Sequence, residues 1–144
     1  MTGFPTLKFF PKGSAQKTPE DYSGGRATAD FVEFLNSKSG AQRTESGSLS
    51  ESAGRNAELD KIASTFIASA DKKELIKQAK EIVEASVDKK KLKWYVKVME
   101  AISEKGDGFL ATEKARLTGV IEGKAIHENK IDEFTVRRNI LNAF

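Results

Sequence analysis

From residue 55 to residue 144 the apolar side chains recur at the spacing of one helical face, and a chain patterned this way must pack helix on helix. Leu59, Ile62, Ala63, Phe66 and Ile67 stand at i, i+3, i+4, i+7 and i+8. Leu75, Ala79, Ile82 and Val83 repeat a similar stripe, and Leu92, Tyr95, Val96, Met99 and Ile102 give a third. No single helix buries its own stripe, so the three are expected to pack on one another. Asp71 with Glu74 three residues later has the form of a capping box, Asp88 is placed to cap the next helix, and Gly106-Asp107-Gly108 is expected to end it. A fourth helix is expected from Thr112, burying Leu117, Val120 and Ile121. A fifth is expected from about Lys130 to Asn142, carrying Phe134, Ile140 and Leu141. Val136 and Ile140 lie off the Phe134 stripe, so the pattern does not fix its buried face. Five helices with connections of a few residues favour an antiparallel bundle.

The first part of the chain has a different rhythm. Phe4, Leu7, Phe9 and Phe10 read as a strand over Gly3 to Phe10, closed by the turn residues Pro11, Lys12 and Gly13. Asp21-Tyr22-Ser23 is a second extended piece before Gly24-Gly25, and Thr28 is a good N-cap for a helix carrying Phe31, Phe34 and Leu35. Between Ser39 and Gly54, Ser and Gly fill half of the 16 positions and Leu49 is the only large apolar residue, which is the composition of a flexible linker. The expected organisation is therefore residues 1–38, a linker over 39–54, and a helical domain over 55–144.

Composition limits what such a chain can do. It has no cysteine, which excludes disulfides, thiolate catalysis and the usual zinc sites without fixing a compartment. With 38% apolar and 31% charged residues it is expected to be soluble and at least partly folded. A net charge of +3, evenly spread, is too small to argue by itself for nucleic acid or a membrane. No stretch approaches the ~18 apolar residues of a membrane span. Met1 leads straight into a strand pattern, as expected of a boundary set within a domain, and an upstream signal peptide remains compatible with it.

Two groups of residues resemble a known family. Gly3-Phe4-Pro5-Thr6-Leu7-Lys8-Phe9-Phe10, then Tyr22-Ser23-Gly24-Gly25-Arg26 and Phe31-Val32-Glu33-Phe34-Leu35, resemble the end of a protein disulfide isomerase thioredoxin domain. Lys93-Trp94-Tyr95-Val96-Lys97-Val98-Met99, Glu113-Lys114-Ala115-Arg116-Leu117 and Asn139-Ile140-Leu141-Asn142-Ala143-Phe144 resemble the helical D domain of the isomerase D subfamily and the Windbeutel-type chaperones. The resemblance implies a mainly α fold, in which an incomplete thioredoxin-like α/β segment of two strands and a helix precedes a five-helix bundle. It also implies residence in the lumen of the endoplasmic reticulum, unfolded or secretory client polypeptides as partners, and an upstream thioredoxin-like domain in the same parent. By the same carry-over Pro5 matches the cis-proline facing the redox site, and the Phe4 backbone matches the edge that holds an extended substrate. The Cys-x-x-Cys motif would lie upstream of residue 1, so this chain is expected to be inactive alone, with no catalytic residue and no cofactor. Phe144 is not a Lys-Asp-Glu-Leu retrieval signal, so the parent is expected to continue or to be retained by another route. Without the earlier strands that would cover Leu7, Phe9, Phe31 and Phe34, residues 1–38 are expected to be loosely ordered, to dock on a partner surface or to self-associate.

Each remaining candidate has a plain structural reading beside the functional one. His127, the only histidine, sits between helices without converging ligands, so no metal is assigned. Glu51 with Glu58, and Asp132 with Glu133, fit a linker or a helix start better than an acid-base pair. Lys89-Lys90-Lys91 with Lys93, Trp94, Tyr95 and Lys97 could grip nucleic acid, but Tyr95 belongs to an apolar stripe. A solvated face is the simpler reading, with a contact with an acidic partner as the lesser alternative. Trp94 lies about 100° from Tyr95 around the helix and is a candidate anchor for client polypeptides, set against partial burial between helices. Gly119 and Gly123, four apart, allow close helix packing. The functional expectation is a non-catalytic client-binding or domain-positioning module in oxidative folding; the alternative is a redox-inactive chaperone or escort. A nucleic-acid role is disfavoured.

Overall fold

A computed structural model describes residues 5–13, 15–16, 18–123 and 127–144. The chain divides into two compact units, Met1–Ser48 and Leu49–Phe144.

The first unit contains β1 (Lys8–Phe9), β2 (Glu20–Asp21) and α1 (Thr28–Ser39). The strands pair antiparallel, Lys8 opposite Asp21 and Phe9 opposite Glu20, with a 2.6 Å ion pair between Lys8 and Asp21. Over the described residues they are shorter than the sequence pattern, as expected of a hairpin with no neighbouring strand among those residues to extend its ladder. The α1 helix begins one residue earlier than expected. Ala27 is its N-cap and Asp30 accepts the Ala27 N–H at 2.9 Å, so an aspartate side chain does the capping in place of the Thr28 hydroxyl. Phe9, Tyr22, Phe31 and Phe34 form an aromatic cluster, with Phe34 edge-on to Phe9 at 5.6 Å and to Tyr22 at 4.9 Å. That cluster is thin: α1 buries no residue fully, and Phe10 is 60% exposed. The first half of the Ser/Gly-rich stretch is folded back on α1, since the Asn36 side chain bonds both the N–H and the carbonyl of Arg43, and Thr44 to Ser48 close a turn.

The second unit is a bundle of α2 (Ala57–Phe66), α3 (Lys72–Ala85), α4 (Lys89–Lys105), α5 (Gly108–Glu122) and α6 (Glu128–Leu141). The five expected helices are present, and α4 lies at the centre, packed against each of the other four. The three apolar stripes meet as their spacing requires: Leu59, Ala63 and Phe66, then Ala79 and Val83, then Leu92, Tyr95, Val96, Met99 and Ile102 share one buried cluster. Asn56 caps α2 by accepting from the Glu58 and Leu59 N–H groups, and Asp71 caps α3 by accepting from Glu74. Asp88 occupies the N-cap of α4 without a side-chain cap bond. The α5 helix starts at Gly108 rather than Thr112, because Gly106, with φ +81°, reverses the chain and Asp107 opens the new helix at once. This brings Leu110 into the core with Leu117, while Val120 and Ile121 are half-buried.

The face left open for α6 is resolved by two polar residues. Thr135, Val136, Asn139, Ile140 and Ala143 are buried at i, i+1, i+4, i+5 and i+8, with Leu141 beside them and Phe134 half-buried. Asn139 is 1% exposed and its Nδ2 donates to the carbonyls of Ser50 and Ala53, at 2.9 and 3.1 Å. Part of the stretch expected as a linker is therefore packed on the bundle, with Ala53 only 2% exposed. Gly54 follows with φ +77°, and a β-carbon there would stand 2.9 Å from Val136 Cγ2, well inside contact distance, so both the backbone and the space require glycine.

A second polar clasp joins α2 to α4. The Tyr95 hydroxyl, in a residue with no exposed surface, accepts the Asn56 N–H at 3.1 Å and donates to Asp60 Oδ1. Asp60 is held in turn by Arg55 at 3.0 Å. Burial, and then the bond to Asp60, push the Tyr95 hydroxyl above its ordinary pKa of 10.0. The folded chain keeps this phenol neutral where the unfolded chain ionises, so the stability it contributes is full below pH 10.0 and is lost as pH rises beyond it.

Tyr95→Phe leaves the Asn56 N–H and Asp60 without that partner and is expected to cost about 1–3 kcal/mol in denaturant unfolding. It should also flatten the loss of stability on the alkaline side; an unchanged alkaline slope would show that the phenol is not its source. Asn139→Ala is expected to cost about 1–3 kcal/mol by the same reasoning. Its signature is faster amide exchange at Ala53 and Arg55, and unchanged protection there would contradict the clasp.

Candidate functional site

Packing of Tyr95 into the core fixes the direction of its neighbour. One residue earlier on α4, and so about 100° around the helix, Trp94 emerges half-buried between α4, α5 and α6. The Arg137 guanidinium lies over its ring at 3.7 Å from the centroid, and Lys97 Nζ stands 4.4 Å from the same centroid. Both cations make cation–π contacts with the one indole, each worth about 0.5–1 kcal/mol where exposed. Around it lies a cleft lined by Trp94, Lys97, Val98, Phe109, Glu113, Leu117, Arg137 and Leu141. Its volume of about 50 Å³ is far below that of a small-molecule site, so it takes the end of a side chain rather than a cofactor.

The charges of the rim are unequal in their commitments. Glu113 is engaged by Arg116 through two bonds of 2.6 and 2.8 Å, and this, with Arg137 and Lys105 nearby, holds its carboxyl below the ordinary value against a smaller opposing effect of burial. Arg137 donates through Nη2 to Glu133, while its Nε is shielded from solvent and has no acceptor among the described residues. Such an orphaned donor costs about 1–3 kcal/mol, more for a charged group. Lys97 makes no ion pair among the described residues, and Lys105 stands over the Phe109 ring at 5.4 Å.

The residues singled out from the sequence fall in separate places. Phe4 lies outside the described residues, and Pro5 is exposed in the first unit. Trp94 belongs to the second unit, where Lys97 and Arg137 flank it. Lys97 was read from the sequence as part of a solvated face. Phe109 and Arg137 were not read as site residues, and the i, i+4 pair of Glu133 with Arg137 is the signal that marks Arg137 as ordered. Lys89 pairs with Glu84 at 2.9 Å, and Lys90, Lys91 and Lys93 are exposed beside the buried Leu92 and Tyr95. His127 is exposed at the start of α6, and among the described residues no three acidic, histidine or cysteine side chains are grouped to hold a metal. Among the same residues no helix is long and apolar enough to cross a membrane. Gly119 and Gly123 do not bring helices together: a β-carbon at Gly119 meets nothing within 4 Å, and at Gly123 it meets only backbone of its own helix. A wider hollow in the first unit is lined by Asp21, Tyr22, Asp30 and Glu33. Its tyrosine hydroxyl is already satisfied by the Gly25 carbonyl at 2.6 Å.

Comparison with known proteins places this arrangement. The family model described as "Endoplasmic reticulum protein ERp29, C-terminal domain" matches residues 54–144, which is the helical unit almost end to end. Over the whole chain the sequence is 43% identical to "Protein disulfide-isomerase erp38" of Neurospora crassa and 40% identical to "Protein disulfide isomerase-like 2-2" of Oryza sativa subsp. japonica, in each case over 39% of the relative. It is 41% identical to "Protein disulfide-isomerase 1" of Dictyostelium discoideum, over 40% of that protein. The chain thus spans about two fifths of the length of these relatives. With a helical unit that fits the model throughout and full-length similarity to proteins of the disulfide-isomerase type, the chain belongs to the family of the ERp29 C-terminal domain.

Proposed function

We propose that this chain is a non-catalytic portion of a disulfide isomerase of the endoplasmic reticulum lumen, and that its helical unit binds client polypeptides or positions the catalytic domains. The observation that carries the reading is a cysteine-free bundle that keeps an indole half-exposed between two cations. The reaction of an isomerase needs a thiolate to attack a disulfide sulfur, and no side chain here supplies one. What the bundle offers instead is an aromatic anchor on a rigid helix, of the kind that dominates polypeptide recognition. The family name and the isomerase relatives support this compartment. Pro5 and Phe4 would belong to the substrate edge of the thioredoxin-like part, and act only together with a domain that carries the cysteines.

Added alone to a reductively unfolded secretory protein, the chain is expected to slow aggregation at near-stoichiometric ratio while forming no disulfide in it. Disulfide turnover by the purified chain would refute the non-catalytic assignment. Unaltered aggregation, together with no measurable association with the unfolded client, would leave only the domain-positioning role. Suppression of aggregation by the chain in a parent that lacks redox cysteines would favour the chaperone or escort alternative.

A further inference from the structure

The cleft beside Trp94 has a chemistry more specific than a general preference for unfolded chains. Its floor is apolar, formed by Val98, Phe109, Leu117 and Leu141 against the indole, and its volume of about 50 Å³ suits the end of one apolar side chain. Its rim is cationic in effect. Glu113, the one carboxylate among the described residues that lines it, is taken up by Arg116, whereas Lys97 has no ion pair among the described residues. Among the described residues the carboxylate bonded to Arg137 is that of Glu133, which also stands 3.8 Å from Lys130 and so has a second cation to turn to. A carboxylate arriving from outside would find two cations already ordered by the indole that they cover.

We propose that this cleft is a docking site for an acidic stretch of polypeptide carrying a leucine or isoleucine. The aliphatic side chain enters beside Trp94 and Phe109, and the neighbouring carboxylates meet Lys97 and Arg137. The proposal rests on the client-binding reading above and narrows it to a sequence class. A basic segment is a poor occupant, because it meets like charge at Lys97 and Arg137.

The test uses the whole chain and a dye-labelled peptide with a central leucine flanked by aspartate and glutamate. Dye anisotropy reports binding anywhere on the chain, and emission from Trp94, the only tryptophan, reports the cleft. The peptide is expected to change both signals together. Replacing its leucine by serine, or its acids by lysine, should weaken binding about tenfold or more. Lys97→Glu, at an exposed position that leaves the fold intact, should weaken it about tenfold, and Arg137→Gln should do the same. Anisotropy that rises without a change in Trp94 emission, or that ignores Lys97→Glu, would overturn the cleft while leaving client binding in place. Equal affinity for acidic and lysine-flanked peptides would overturn the acidic preference. Failure of this peptide while an unfolded protein still binds would sink the inference alone, and failure of both would sink the reading beneath it as well.

Discussion

The bundle depends on what happens at one hydroxyl. Tyr95 carries its phenol into the middle of the molecule, where a polar group without a partner would be costly, and the first turn of α2 meets it with an N–H from Asn56 and a carboxylate from Asp60. The same Asn56 caps α2 with its side chain, and Arg55 anchors Asp60, so helix start, helix cap and inter-helix contact are one hydrogen-bonded unit. Phe144 closes over the same region, edge-on to Phe66 at 6.1 Å and tilted on Tyr95 at 6.5 Å. Asn139 does for α6 what Tyr95 does for α4, holding the carbonyls of Ser50 and Ala53. The approach of the chain to α2 is thereby tied to two separate helices before α2 begins.

This has a consequence for recognition. Because Tyr95 is locked, the rotation of α4 is locked, and Trp94 is presented at a defined angle beside α5 and α6. An indole on such a support loses little freedom when a partner covers it, which is the condition for a strong anchor. Arg137 and Lys97 further restrict the ring through their cation–π contacts with it. The first unit is built differently. Its aromatic cluster of Phe9, Tyr22, Phe31 and Phe34 closes without any fully buried helix residue, and Leu7, Phe10 and Leu35 remain exposed.

Most of the bundle could be read from sequence because its signals are local and repeated. The stripes of α2, α3 and α4 are strict enough that Leu59, Ala63, Phe66, Tyr95 and Met99 are buried where the period puts them. Legibility ended where polar residues took apolar positions. Asn139 and Thr135 occupy the buried face of α6, so counting apolar residues there gave no consistent stripe. The Ser/Gly content of residues 39–54 reads as a flexible linker, and composition carries no trace of the two carbonyls that Asn139 holds. At the site, Trp94 was visible as an unusual residue next to a core position. Its partners were not, because Phe109 comes from a helix whose start was placed too late and Arg137 from the helix whose face was open. Long-range pairs of this kind leave no spacing to count.

The most direct measurement of the central claim, that binding is a property of the helical unit at Trp94, is residue-resolved NMR of the isotope-labelled chain titrated with an unfolded client. The account predicts that shifts concentrate on the Trp94 indole N–H and on the amides of Lys97, Phe109 and Arg137, while Tyr95 and Asn139, buried beneath, stay nearly constant. Shifts confined to Leu7, Phe10 and Leu35 of the first unit, with the Trp94 indole unmoved, would contradict it.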